Sequence, residues 1–347
     1  MKKIIELVKN EIAEVVGCTE PAAIAFAFSA ISHFYGKEIK PNKIKAKLYL
    51  SKKVYRNAES AGIPVICERG IYPASALGII SKNISLNVFS GITKEQLSKS
   101  KILLRKRNWL KIIVLNRKGI YIRAELKTPD GLYKSVIHDR HDNLEKVLLE
   151  GKALYRKKLQ IVHRIKNVKE IYDIVNKRSK ELEKIAKEFM LGNGMALGNI
   201  KQCNIADIVY ELVKKRMSGE HIKILTIVGS GNHGIFLSMP FYQLYKKQRD
   251  KILPGLLFSI LTVIYLTQKK ERLSDYCGLA CKASPALVAG LSYLKGARLN
   301  EIGYYMELAE ETTSGLLCEG AKESCANKSY LCLRNAHKIV DEDRRLP

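Results

Sequence analysis

Three cysteines stand at seven-residue intervals near the end of the chain, Cys318, Cys325 and Cys332 in SGLLCEGAKESCANKSYLCL. Two more, Cys277 and Cys281, precede them in DYCGLACKAS. In a reducing compartment such thiols are not kept as disulfides, and a cluster of them points to metal binding or catalysis. The CxxC pairs of a zinc ribbon are absent, as is the CxxCxxC run of a bacterial ferredoxin. What remains is one or two ligands at 277 and 281 and a pair at 318 and 325, a spread that could hold a cluster through three thiolates. A four-iron cluster so held leaves one iron open, as a Lewis acid for a substrate thiol or hydroxyl. The competing reading is that the cysteines are small buried hydrophobes. That suits the isolated Cys67 and Cys203 better than the C-terminal group.

Two other stretches carry chemistry. In GCTEP, residues 17–21, Cys18 lies just ahead of a helix start, where unpaired N–H groups and the positive end of the helix dipole favour thiolate over thiol. Cys18 is therefore a candidate base or nucleophile, against a reading as a small residue in a tight turn. In VGSGNHGIF, residues 228–236, a glycine-rich turn follows a strand-like segment and exposes backbone N–H groups to a carboxylate or phosphate. Ser230, Asn232 and His233 add side-chain partners. The turn matches neither GxGxxG nor the Walker pattern.

The elements that must position these residues follow from periodicity. Ile4, Leu7, Val8, Ile12 and Val15 share one face of a helix expected over 3–16, ended by Gly17. Thr19 as N-cap and Pro21 in the first turn open the next helix. KIKAKLYLS alternates as a strand, and LKIIVLN, IYIRAEL and LYKSVIH read as an antiparallel meander. From about residue 165 the pattern is helical, broken at LGNG and GSGNHG. The expected fold is α+β: an N-terminal part of helices and antiparallel strands, 1–165, carries GCTEP, and a largely helical catalytic part, 166–347, carries the cluster cysteines.

The chain has 347 residues, 46% of them hydrophobic, which excludes a disordered or fibrous protein. Its formal charge of +26 raises nucleic-acid binding, but the lysines and arginines are dispersed and read as a solvated basic surface. Charges at Glu6, Lys9, Glu11 and Glu14 interrupt any secretory signal. The most apolar run, ILPGLLFSILTVIYLT, is shorter than the ~20 residues of a spanning helix and reads as a buried one. A cytoplasmic protein without membrane association is expected, acting on a small molecule rather than on nucleic acid. The sequence is compatible with a homo-oligomer.

GCTEPAAIA, GSGNHGI, LSDYCGLA and GLLCEGAKESCANK, in this order along nearly the whole chain, together resemble the L-cysteine desulfidase family, which is related to the iron–sulfur L-serine dehydratases. YRNAESAGIP and HDN, at 141–143, look like further elements of that family. The resemblance implies a [4Fe-4S] cluster held by Cys277, Cys318 and Cys325, with Cys281 as competitor for Cys277, and Cys18 as catalytic base. It implies a carbon–sulfur lyase converting L-cysteine and water to hydrogen sulfide, ammonia and pyruvate, with Ser230, Asn232 and His233 holding the substrate carboxylate. The alternatives are an L-serine dehydratase-like lyase and a non-catalytic iron–sulfur paralogue with a structural or redox-sensing role. Where the family has a glycine- and threonine-rich element after GIP, this chain has Val65, Ile66, Cys67, Glu68 and Arg69. That departure implies an altered substrate cradle. Glu20 is expected to be a first-turn helix acid, His33 and His337 ordinary helical side chains, and Cys332 structural. His141 and Asn143 either reach the site or cap the following segment.

Overall fold

The structure is a computed structural model describing residues 1–158, 163–198, 200 and 204–342; Cys203 lies outside these. The N-terminal helix α1 (Lys2–Glu11) stops earlier than its spacing predicts. The β-branched Ile12, Val15 and Val16 instead form strand β1 (Ile12–Val16). Helix α2 (Thr19–Tyr35) follows; its first fourteen residues are buried. A helix apolar all round belongs in a core. Strand β2 (Lys45–Ser51) leads into α3 (Lys52–Ala58), the short hairpin of β3 (Gly62–Ile63) and β4 (Glu68–Arg69), and helices α4 (Ile71–Ile80) and α5 (Lys94–Arg105).

Strands β5 (Leu110–Leu115), β6 (Tyr121–Thr128), β7 (Gly131–His138), β8 (Leu144–Leu149) and β9 (Lys152–Arg156) complete a six-stranded sheet of order β5-β2-β6-β7-β8-β9. The meander expected from LKIIVLN onward is therefore corrected at its first strand. β5 pairs parallel with β2, and β2 separates it from β6. The chain between β2 and β5 runs through α3, α4 and α5, the crossover that a parallel pair requires. Ser135 Oγ of β7 donates to Ala27 O at 2.7 Å, fixing α2 on this sheet.

The second part holds α6 (Val168–Asn176), α7 (Lys180–Gly194), α8 (Ile205–Ser218), β10 (Lys223–Ile227), α9 (Gly231–Gln248), α10 (Leu253–Lys269), α11 (Ser284–Leu294), α12 (Leu299–Glu311) and α13 (Ser324–Glu342). The α+β class holds. β10 pairs antiparallel with β1, Ile12 opposite Ile227 and Val16 opposite Lys223, so the first residues of the chain are built into the helical part. This pairing sets the start of β1 beside the glycine turn that follows β10, the Val228 amide donating to Glu11 O at 3.0 Å. It sets Gly17, at the end of β1, beside the start of β10, its amide donating to Ile222 O at 3.4 Å. Among the described residues the run Gly231–Lys269 is long and apolar enough to cross a membrane. Its apolar window, however, is 89% buried within the protein. It is core, as its apolar half reads in the sequence.

Candidate active site

The GCTEP turn, the glycine turn and the cysteine segments meet around one cavity of about 120 Å³. Cys18, Ser230, Asn232, His233, Cys277, Cys318 and Cys325 all line it; Cys281 does not. Cys277 sits just before a single π-helical turn, Leu279–Ala283, that opens α11. Its segment is zipped to that of Cys318: the Cys277 amide donates to Leu316 O at 2.7 Å, and the Cys318 amide to Asp275 O at 2.8 Å. Cys325 occupies the second position of α13, its sulfur 3.5 Å from Gly320 O. Lys53 and Arg56 of α3 pair with Asp275, and Arg69 of β4 pairs with Glu323 at 2.6 Å, tying both cysteine segments to the N-terminal part.

Burial pushes the Cys277 thiol up to about 11, against the Ala280 and Leu279 amides, which favour its thiolate. Burial likewise raises Cys325. Each of these two is also raised by the nearby sulfur of Cys318. Among the described residues no three His, Cys, Asp or Glu side chains close around a single metal-ion position. Three thiols share a cavity wall without converging on a point. That donor set fits a multi-iron sulfur group better than a lone zinc ion, since soft thiolates suit iron–sulfur clusters and a structural zinc needs four convergent ligands.

The opposite wall is a hydrogen-bonded network. Glu20 is the first-turn acid of α2 that was expected, but it is buried and lines the cavity. It accepts from the Cys18 thiol at 3.6 Å and from Asn57 Nδ2 at 2.9 Å, and its Oε1 lies 3.5 Å from His141 Nε2. Burial would raise its pKa, but His141 and Asn57 outweigh burial and hold the carboxyl at about 2. Cys18, and not Thr19 as expected, is the N-cap residue of α2, and its thiol is not poised as a thiolate. Burial and then the Glu20 charge push it far up, against the lowering effect of Arg216. Desolvation therefore prevails over the helix-terminus effect inferred from the sequence.

His141 reaches the cavity, whereas Asn143 donates to His138 O and accepts from Lys157, away from it. His33 and His337 do not line it, and Cys332 is wholly buried elsewhere. The substituted segment Val65–Arg69 is absent from the cavity wall, so it neither fills the pocket nor removes part of the cradle found here. His233 is buried and neutral, burial and Lys282 drawing its pKa down to about 3.

Three cations of the site were hidden in the sequence. Arg272 forks onto Glu11 with two 2.9 Å bonds. Lys282 donates to the carbonyls of Glu271 and Arg272 at 3.0 Å, and burial lowers its pKa to about 8. Arg216, near the end of α8, donates to Asn232 Oδ1 at 2.6 Å and to Thr19 Oγ1 at 3.2 Å. The glycine turn exists partly to admit these side chains. A Cβ on Gly229 would lie 2.6 Å from His141 Nδ1, and one on Gly231 2.4 Å from Arg216 Cζ.

A sequence profile of the serine dehydratase alpha chain matches residues 70–341. The chain belongs to the serine dehydratase alpha chain family. The matched span holds the three cavity thiols, His141, Arg216 and the glycine turn, and leaves Cys18 and Glu20 outside. The UPF0597 protein of Clostridium perfringens strain SM101 is 30% identical over 361 positions, covering 93% of this chain and 83% of that protein. The UPF0597 protein of Clostridium botulinum strain Langeland is 29% identical over 94% of this chain. The L-cysteine desulfidase of Methanococcus maripaludis strain C7 is 29% identical over 94% of this chain and 84% of its own length. No solved structure matches. Membership in the serine dehydratase alpha chain family and the likeness to a desulfidase support a lyase-type function.

Proposed function

We propose that this protein is an iron–sulfur-dependent lyase that eliminates the β-substituent of a small amino acid, converting L-cysteine and water to hydrogen sulfide, ammonia and pyruvate. The observation that carries the reading is that Cys277, Cys318 and Cys325 line one cavity together with Cys18 and the glycine turn. Cys277, Cys318 and Cys325 would hold a [4Fe-4S] cluster, which when bound supplies a Lewis-acidic iron for the leaving sulfur.

The chain's own residues would carry the protons. Cys18 must first lose its proton, and its thiol already points at Glu20 Oε2 with His141 beyond. Glu20 orients that thiol and does not keep its proton, since a carboxyl held at about 2 is too weak a base; the proton leaves to solvent. The resulting thiolate takes the Cα proton of the substrate, and the β-carbon–sulfur bond breaks with its electron pair going to sulfur. The freed aminoacrylate tautomerises and hydrolyses to ammonia and pyruvate. The cavity is small and its walls are largely buried, which keeps bulk water from the thiolate and suits a substrate of few atoms.

The test is turnover by protein reconstituted anaerobically with iron and sulfide, assayed for sulfide and pyruvate from L-cysteine and for pyruvate from L-serine. Release of sulfide with equimolar pyruvate is expected. Pyruvate from L-serine alone would make the protein a dehydratase, and turnover of neither would overturn the lyase reading.

A further inference from the structure

Arg216 is only 2% exposed, yet among the described residues no carboxylate forms an ion pair with it. Its bonds go to two neutral oxygens, Asn232 Oδ1 and Thr19 Oγ1, and its Nε has no partner. A guanidinium carries five N–H donors in a planar fork. A Cβ on Gly231 would meet Cζ at 2.4 Å and Nε at 2.6 Å. Only a residue without a Cβ lets the turn pack this closely on the guanidinium and on Ile224 Cδ1, 2.3 Å from the same point. A buried cation with unfilled donors is costly unless an anion completes it. The cavity it lines is where such an anion would sit.

We propose that Arg216 is the carboxylate anchor of this site, binding the carboxylate of the substrate through its unfilled donors with the Thr19 hydroxyl beside it. The anchor rests on the lyase reading of the same cavity and narrows it to substrates bearing a carboxylate next to the reacting carbon. Two features agree with this placement. Thr19 lies between Cys18 and Glu20, so a carboxylate held there sits beside the thiol that would take the α-proton. Arg216 also turns the Asn232 carbonyl toward itself, so Asn232 acts as a positioning residue for the anchor.

The test compares L-alanine, which has no leaving group, with L-alaninamide, whose carboxylate is replaced by a neutral amide. Binding is measured by calorimetry on the anaerobically reconstituted protein. The wild-type protein should favour L-alanine by about 100-fold, the scale of one buried charge-assisted pair. Arg216→Lys should keep part of that preference and Arg216→Gln should abolish it, with both variants folded and loaded as judged by circular dichroism and cluster absorbance. Full preference retained in Arg216→Gln would overturn the anchor, leaving the glycine turn as carboxylate holder. So would retained preference with altered cluster assembly, which would make Arg216 a counter-charge to the Cys325 thiolate. So would a wild-type protein indifferent to the two ligands. Turnover of L-cysteine measured alongside separates the claims. Wild-type turnover with preference intact in Arg216→Gln fails the anchor alone, and lost preference in Arg216→Gln beside a wild-type protein that turns over no substrate fails the lyase reading alone.

Discussion

The two walls of the cavity are built on different terms. The wall from the start of α2 is already bonded: Glu20 accepts from Cys18 and Asn57, and Arg216 reaches across to Thr19. The cysteine wall has sulfurs with weak contacts, Cys318 at 3.9 Å from Asn57 Oδ1 and Cys325 at 3.5 Å from Gly320 O. A network whose carboxylate is held by several partners is preorganised, although the Arg216 Nε within it is left without one. The segments of Cys277 and Cys318 are held side by side by backbone pairing, and the amides of Leu279 and Ala280 oppose the burial that raises the Cys277 thiol. On the proposed function, the first wall handles protons and the second holds the cofactor.

That division can be broken or sharpened by substitution. The largest effect after loss of the cluster should come from Cys18→Ser. Cluster content should be unchanged while turnover falls about 1000-fold, the scale of removing a general base; turnover within threefold of wild type would remove Cys18 from the mechanism.

Glu20→Gln tests the bonded wall by stability. The Glu20 carboxyl titrates at about 2 rather than at its ordinary 4.5. Its folded pKa is depressed, so it stabilises the protein above pH 4.5, and that stability is lost as pH falls toward 2. The shift corresponds to about 3 kcal/mol. Urea midpoints for Glu20→Gln should lie below wild type at pH 7 and converge with it in acid. A constant gap across that range would show that Glu20 is not held as a carboxylate.

Gly231→Ala should cost about 1–3 kcal/mol, because its new methyl would collide with Ile224 Cδ1 and with the Arg216 guanidinium. The melting temperature of that variant checks it. The smallest effect is expected of Arg69→Ala. The Arg69–Glu323 pair is half-exposed on both sides, and such pairs contribute within about 1 kcal/mol. A melting point lowered by more than about 4 °C would instead make this tie important to the cysteine wall.

Much of the cysteine wall was legible in the chain, because the segments around Cys277, Cys318 and Cys325 are short and their residue types are uncommon at such spacing. The α2 start was legible to within a residue: Pro21 in the first turn is a local signal, while the N-cap is Cys18 and not Thr19. The bonded wall was less so. Glu20 looks like any first-turn acid, and nothing local tells that Asn57 and His141 come to meet it. Arg216 and Lys282 stand among many lysines and arginines that are solvated, and only long-range packing buries these two. β1 was read as helix because Ile12 and Val15 keep the helical spacing, while its strand partner lies some two hundred residues away. The parallel placement of β5 was hidden for the same reason. Adjacent strands in sequence suggest a hairpin, and only the sheet as a whole shows β2 between them. Local propensity cannot carry such pairings.

The division of labour between the walls is tested most directly by cluster absorbance after anaerobic reconstitution of Cys318→Ala and Cys18→Ala beside the wild-type protein. The account predicts a cluster band in wild type and in Cys18→Ala, and its loss in Cys318→Ala. A band that survives in Cys318→Ala, or none in the wild-type protein, would contradict it.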